Sequence, residues 1–259
     1  MTLLHHEIEG VRGGPPLLLG GSLGTSLSMW GPQVPALAER LRVVRFDHRG
    51  HGRSPEPAGP YSIEAMGRDV LTLLDWIGLE RVSYCGLSIG GMVGMWLAAN
   101  APERIDRLVL ICTSAHLPPA EGWRERAATV RAAGTVGAVA DSVVARWLTP
   151  AYAARKPTVV GWLKGMLEAS PPQGYAASCE AIAAMDLRPQ LSWIQAPTLV
   201  LAGAEDQATP PAHGEAIAAA IADARLELLS PMAHLGSVEQ ATAVTNLILD
   251  HLRPRERPR

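Results

Sequence analysis

The sequence predicts an α/β fold, a mostly parallel central sheet flanked by helices. Three observations carry the prediction. Short apolar segments of strand character alternate with segments of helical periodicity along most of the chain. One alternation, from Arg81 to Asn100, passes from strand to helix through Gly86-Leu87-Ser88-Ile89-Gly90. Between about residues 118 and 195 the strand pattern stops and helical spacing alone remains, which marks a helical insertion.

The strand-to-helix passage comes first because the rest is organised around it. Val82 to Cys85 reads as a short buried strand, and Met92, Val93, Met95, Trp96 and Leu97 as an apolar helix. Reversing the chain between them in a few residues puts Ser88 at a strained apex. Gly86 and Gly90 avoid the clash of strand with helix, and Gly91 adds room. The Ser88 hydroxyl is then exposed as a candidate nucleophile, and the Ile89 amide sits at a helix N-terminus, where an oxyanion is stabilised. The competing interpretation is a glycine turn that holds a phosphate. No P-loop lysine follows it, and the dinucleotide glycine spacing is absent.

Composition sets the limits. A chain of 259 residues accommodates one large α/β domain or two small ones, and 47% apolar content allows a sizeable core. The net charge of −2 gives no sign of a nucleic-acid or anionic-membrane partner. No run of eighteen apolar residues predicts a transmembrane span, and Met1 to Glu7 lacks the features of a signal peptide. The three cysteines are far apart, and Cys85 and Cys112 fall in buried strands, which fits reduced thiols and a cytoplasmic location. No metal-ligand spacing is visible, so no metal is expected.

In chain order, Leu3 to Glu9 reads as an edge strand and Leu17 to Leu19 as a buried one. The buried strand runs into the small-residue loop Gly20-Gly21-Ser22-Leu23-Gly24-Thr25, which can aim amides at a ligand or be a plain turn. Met29-Trp30, Val34 and Leu37 suggest a helix opened by Pro32 or Pro35. After a strand at Arg42 to Phe46, the loop Asp47 to Ser54 carries His48 and His51. No third ligand lies nearby, so a structural loop is favoured over a metal site. Ser62 caps a helix with Ile63, Met66, Val70, Leu73, Leu74 and Ile77 on one face. The helix after Ser88 stops near Pro102, and Ile105 to Cys112 is a continuous apolar strand.

In the insertion, Val136, Val139, Val143 and Trp147 share one helical spacing, and Tyr175, Cys179 and Ile182 another. Prolines 150, 157, 171 and 172 punctuate the helices, and four of the seven tryptophans lie here. The insertion reads as a cap over the C-terminal edge of the sheet, with its aromatics serving mainly to hold cap to core. The sheet resumes at Pro197 to Gly203, followed by an acidic loop at Glu205-Asp206, a helix from Ala212 to Ala222 and a strand from Arg225 to Leu229. A loop holding His234 and a closing helix from Val238 to Leu252 complete the pattern. The expected divisions are 1–117 and 196–252 for the two parts of the core, 118–195 for the cap, and a disordered tail at 253–259.

A nucleophilic serine needs a base, and the base needs an orienting acid. Ser88, Asp206 and His234 each follow a predicted strand, so in a parallel sheet their loops share one edge. Their chain order is that of the α/β-hydrolases. Glu205 is the rival acid. His5 and His6 lie at the terminus, His213 begins a helix and His251 ends one, so none has the placement of His234. By position, the Leu23 amide is the second oxyanion donor beside Ile89.

With these residues in view, the chain resembles the α/β-hydrolase superfamily, and within it the bacterial 3-oxoadipate enol-lactonases, over about Leu17 to Leu252. The similarity lies in Gly21-Ser22-Leu23-Gly24-Thr25 through Trp30, Asp47 to Ser54, Gly59-Pro60-Tyr61, Cys85 to Gly91, Arg146-Trp147-Leu148-Thr149 and Gly174 to Ile182. The superfamily-wide elbow and Asp47 loop say little about substrate; the cap segments say more. Ile89 stands where family members usually carry Met, and Met232 to Ser237 is less typical around the histidine. The resemblance implies a cap inserted after the sixth strand, no cofactor, and a small lactone or ester as partner. It implies opening of the carboxylate-bearing 3-oxoadipate enol-lactone to 3-oxoadipate. The carboxylate calls for a cationic or hydrogen-bonding cap residue, for which Arg146 and Trp147 are the candidates. Arg146 could instead be solvated or paired with Asp141 or Glu180. Rival functions are an esterase or lactonase of another pathway, a cofactor-free perhydrolase, or a ligand receptor that keeps the fold without turnover.

Overall fold

The computed structural model describes residues 3–253. Seven strands form one sheet in the order β1-β3-β2-β4-β5-β6-β7. They are β1 (His6–Gly10), β2 (Pro16–Gly20), β3 (Arg42–Phe46), β4 (Val82–Leu87), β5 (Ile105–Ile111), β6 (Thr198–Gly203) and β7 (Ala224–Leu229). Only β1, at the edge beside β3, is antiparallel. The interior strands are near-continuous apolar runs because helices cover both faces of such a sheet; Leu17, Leu18, Leu19 and Leu199 are wholly buried.

Strand order reverses between β2, whose next strand lies on one side, and β4, which lies on the other. Loops leaving adjacent strands diverge there and open a crevice at the C-terminal edge. The register pairs Gly20 with Gly86 at that edge, so the Gly21 to Thr25 loop and Ser88 leave the sheet side by side.

The core helices are α1 (Val34–Ala38), α2 (Ile63–Trp76) and α3 (Ile89–Asn100), followed after the insertion by α9 (Pro211–Ala220), α10 (Gly236–Glu239) and α11 (Ala241–His251). Ser62 caps α2 as expected, its hydroxyl accepting the Ala65 amide at 3.0 Å. The region around Met29-Trp30 is a separate 3-10 turn, Leu27–Trp30, ahead of α1. The expected single closing helix is broken at Gln240, whose φ of −118° and ψ of 43° are not helical; Gln240 ends α10 and caps α11.

Between β5 and β6 lie α4 (Ala120–Ala133), α5 (Gly137–Val144), α6 (Pro150–Arg155), α7 (Pro157–Glu168) and α8 (Pro172–Ala184). Pro150, Pro157 and Pro172 each occupy a first helical position, where a missing amide costs nothing. Five strands, not six, precede these helices, because the sheet terminates at β1 and no described residue adds a strand outside it. Residues 254–259, most of the expected disordered tail, lie outside the described residues; Arg253 pairs with Asp250 at 3.2 Å. No helix among the described residues is long and apolar enough to cross a membrane.

Candidate active site

Ser88 sits at the apex between β4 and α3 with φ 56° and ψ −118°, a left-handed conformation that a non-glycine residue holds only when its surroundings enforce it. Its amide donates to the Ile111 carbonyl at 3.0 Å, and its carbonyl accepts the Thr113 hydroxyl at 2.7 Å. The glycines do what the spacing predicts. A Cβ on Gly86 would overlap the Gly90 carbonyl, and one on Gly90 would overlap the Gly20 carbonyl. The Ile89 amide is in the first turn of α3, where no intrahelical acceptor exists.

The loop after β2 is fixed from several sides. The Gly21 carbonyl accepts from the Gly90 amide at 3.1 Å and lies 3.2 Å from Nε2 of His48. Sδ of Met29 takes the Ser22 amide at 3.2 Å and the Thr25 hydroxyl at 3.0 Å. Leu23, in the middle of this loop, lines the cavity next to Ser22. His48 is buried, and desolvation, with a smaller contribution from His51, lowers its pKa to about 3. His51 holds the Arg49 carbonyl at 3.1 Å. Both rings therefore serve the loop, as the sequence favoured.

Asp206 and His234 meet at the same edge. Nδ1 of His234 lies 2.8 Å from Oδ2 of Asp206. The other carboxylate oxygen accepts the amides of Ala208 at 2.8 Å and Thr209 at 2.9 Å, and the Thr209 hydroxyl donates to Oδ2 at 2.7 Å. Burial alone would raise the Asp206 pKa, but His234 and the Thr209 hydrogen bonds outweigh it and hold the carboxyl at about 2. Glu205, the rival acid, is exposed. Sγ of Cys112 comes within 4.8 Å of ligand atoms on both Asp206 and His234, but burial keeps it a thiol.

Ser88 and His234 open on one cavity of about 320 Å³, roofed by residues of the helical insertion. Arg146 and Trp147 both line it, but not from a shared helix. Helix α5 ends at Val144, and the Arg146 and Trp147 amides bond three residues back, to Val143 and Val144. The reason lies ahead in the chain: Thr149, extended before Pro150, caps α6, so the preceding helix has to tighten and stop. The acids weighed as partners for Arg146 are occupied elsewhere, Asp141 by Lys164 at 2.5 Å and Glu180 by Arg131 at 2.8 Å. Among the described residues, the one hydrogen bond of the Arg146 side chain goes to the Ser142 carbonyl, at 3.3 Å.

Sequence reasoning missed Arg126, which lines the same cavity and stacks 4.6 Å over the Trp123 ring. Desolvation, and next the charge of Arg126, lower the pKa of Arg146. Among the described residues neither arginine pairs with a carboxylate. The readable signal was the i, i+3 spacing of Trp123 and Arg126, which stacks a cation on a ring one turn away.

Comparison with known proteins agrees with this geometry. Residues 15–134 match the model of the alpha/beta hydrolase fold family. The chain is 38% identical to 3-oxoadipate enol-lactonase 2 of Acinetobacter baylyi, covering 95% of this chain and 91% of the relative. The chain belongs to the α/β-hydrolase family. The enol-lactonase of Burkholderia xenovorans superposes on it with a TM-score of 0.94 at 44% identity, over 97% of this chain and 96% of that one. A RutD protein of Azorhizobium caulinodans, whose name assigns it carbamate hydrolysis provisionally, is 32% identical over 95% of this chain and 93% of its own. This α/β-hydrolase is thus an enzyme, a carboxylic ester hydrolase that acts on a small molecule.

Proposed function

We propose that the enzyme opens 3-oxoadipate enol-lactone to 3-oxoadipate, a step of aromatic catabolism, with 118–195 acting as the cap. The observation that carries the substrate is the presence of Arg126 and Arg146, without carboxylate partners among the described residues, in the cavity that holds Ser88 and His234. His234 takes the Ser88 proton as Ser88 attacks the ring carbonyl, while Asp206 holds the Nδ1 proton and stabilises the imidazolium. The amides of Leu23 and Ile89 receive the oxyanion. The C–O bond of the ring breaks with the enol as leaving group, which His234 protonates or which tautomerises to the ketone. Water activated by His234 then frees the acyl group from Ser88. Trp147 packs against the lactone ring, and Arg146, with Arg126, meets the carboxylate. Three buried, unpaired cysteines support a reducing, cytoplasmic setting.

The test compares kcat/KM for the enol-lactone, a neutral lactone and an aryl ester. Arg146→Ala is expected to lose about tenfold to a hundredfold on the anionic substrate alone, the effect of losing a hydrogen bond to a charged group. An equal loss on all three would make Arg146 a support of the cap. The RutD relative favours a carbamate as the second reading. Faster turnover of a carbamate than of the enol-lactone would replace the first.

A further inference from the structure

Tyr175, on α8, enters the sequence reading through its helical spacing with Cys179 and Ile182 and as part of the Gly174 to Ile182 segment. In the structure it is wholly buried yet lines the cavity, and among the described residues its hydroxyl proton has no acceptor, while the Arg126 guanidinium approaches the oxygen as a donor. Its ring lies against Gly24, where an added Cβ would come within 3.0 Å of Cε2, so it stands beside the Leu23 loop. Burial and the neighbouring Cys179 disfavour the phenolate; the charge and hydrogen bond of Arg126 and the charge of Arg146 act on the phenol in the opposite sense. A guanidinium offers only donors, so neither arginine can accept the phenol proton. Tyr175, Arg126 and Arg146 thus line one cavity with no carboxylate partner among the described residues, and Arg146 holds only the Ser142 carbonyl at 3.3 Å. A buried hydroxyl proton left without an acceptor is a cost that an anionic ligand oxygen removes.

We propose that the Tyr175 hydroxyl completes, with Arg126 and Arg146, a three-donor carboxylate site, and that the pocket is therefore a receptor for short dicarboxylates. The inference rests on the reading that an anionic substrate group meets the two arginines. One carboxylate is held by these three side chains and the other by the oxyanion donors beside Ser88. Hydrolysis of a carboxylate-bearing lactone releases such a dicarboxylate, so the product competes with the substrate for the pocket. Removing the phenol proton weakens the dicarboxylate and leaves uncharged ligands of the same length almost untouched.

The probe is adipate, with hexanamide as the uncharged control, each measured as a competitive inhibitor of aryl-ester hydrolysis by the full chain. Tyr175→Phe is expected to raise the inhibition constant of adipate about tenfold, the loss of one hydrogen bond to a charged acceptor. The constant for hexanamide should move by less than about twofold, and Tm should stay level or rise, because the deleted proton has no acceptor in the free protein. An unchanged adipate constant overturns the proposal. So does a variant that loses Tm, or does not fold, because the hydroxyl is then structural. Arg126→Gln should show the same selective loss of adipate, and equal losses for both inhibitors count against the site. Adipate competition without turnover of the enol-lactone would remove the substrate reading and leave the dicarboxylate site standing. Turnover without competition would do the reverse.

Discussion

The amide of Leu235 donates to the carbonyl of Trp147 at 2.8 Å. The residue after His234 is thereby tied to the segment that closes the cavity. Glu239 makes the second tie. Its carboxylate accepts the Ala233 amide at 2.9 Å, the Thr149 amide at 3.3 Å and the Thr149 hydroxyl. The amides on both sides of His234 are therefore held, one directly and one through Glu239, by the stretch from Trp147 to Thr149. The position of the imidazole depends on the helical insertion as well as on Asp206.

It follows that Glu239→Ala should lower kcat more than it changes KM. The substitution leaves the Ala233 amide and both Thr149 donors without their acceptor, and each such bond to a charged group is worth about 1.5–3 kcal/mol. A kcat loss of about tenfold is expected, with a fall in Tm, and Glu239→Gln should recover part of both because its amide oxygen still accepts. Steady-state kinetics on an aryl ester with thermal unfolding checks this. A change confined to KM would mean that Glu239 acts on the pocket instead of on His234.

The depressed pKa of Asp206 gives a signed pH dependence. A carboxyl held at about 2 in the folded chain, against an unperturbed value near 3.9, stabilises the fold fully above about pH 4. That contribution is lost as pH falls from about 4 towards about 2, and it amounts to about 2 kcal/mol. Asp206→Asn should be flatter than wild type over this range in urea unfolding, and its kcat should fall by about three to four orders of magnitude. Parallel stability profiles for the two proteins would remove the assignment.

Ser88→Ala should still bind substrate while turnover falls by several orders of magnitude, since the three groups act as a unit. Retention of more than about a hundredth of the wild-type rate would exclude Ser88 as nucleophile. The elbow itself should survive, because the left-handed apex is enforced by Ile111, Thr113 and the flanking glycines and not by the hydroxyl.

The sequence alone determined the α/β class, the elbow at Ser88 and the order Ser88, Asp206, His234, because each rests on local patterning. Apolar runs make buried strands, glycines at fixed offsets permit one turn, and loops that follow parallel strands share an edge. Arg146 and Trp147 were also placed in the pocket, but through a helix that does not reach them, since the cap of α6 at Thr149 outweighs the spacing of Val136, Val139 and Val143. Only the tertiary structure decided where charge goes. The pairing of Asp141 with Lys164 and of Glu180 with Arg131 leaves Arg146 without a carboxylate among the described residues, and these partners lie 23 and 49 residues apart in sequence. It also brought Arg126 and Tyr175 to one cavity and hung the loop of His234 on Trp147 and Glu239. Contacts between distant segments depend on how helices of the insertion pack over the sheet, and periodicity within a segment carries no record of that packing.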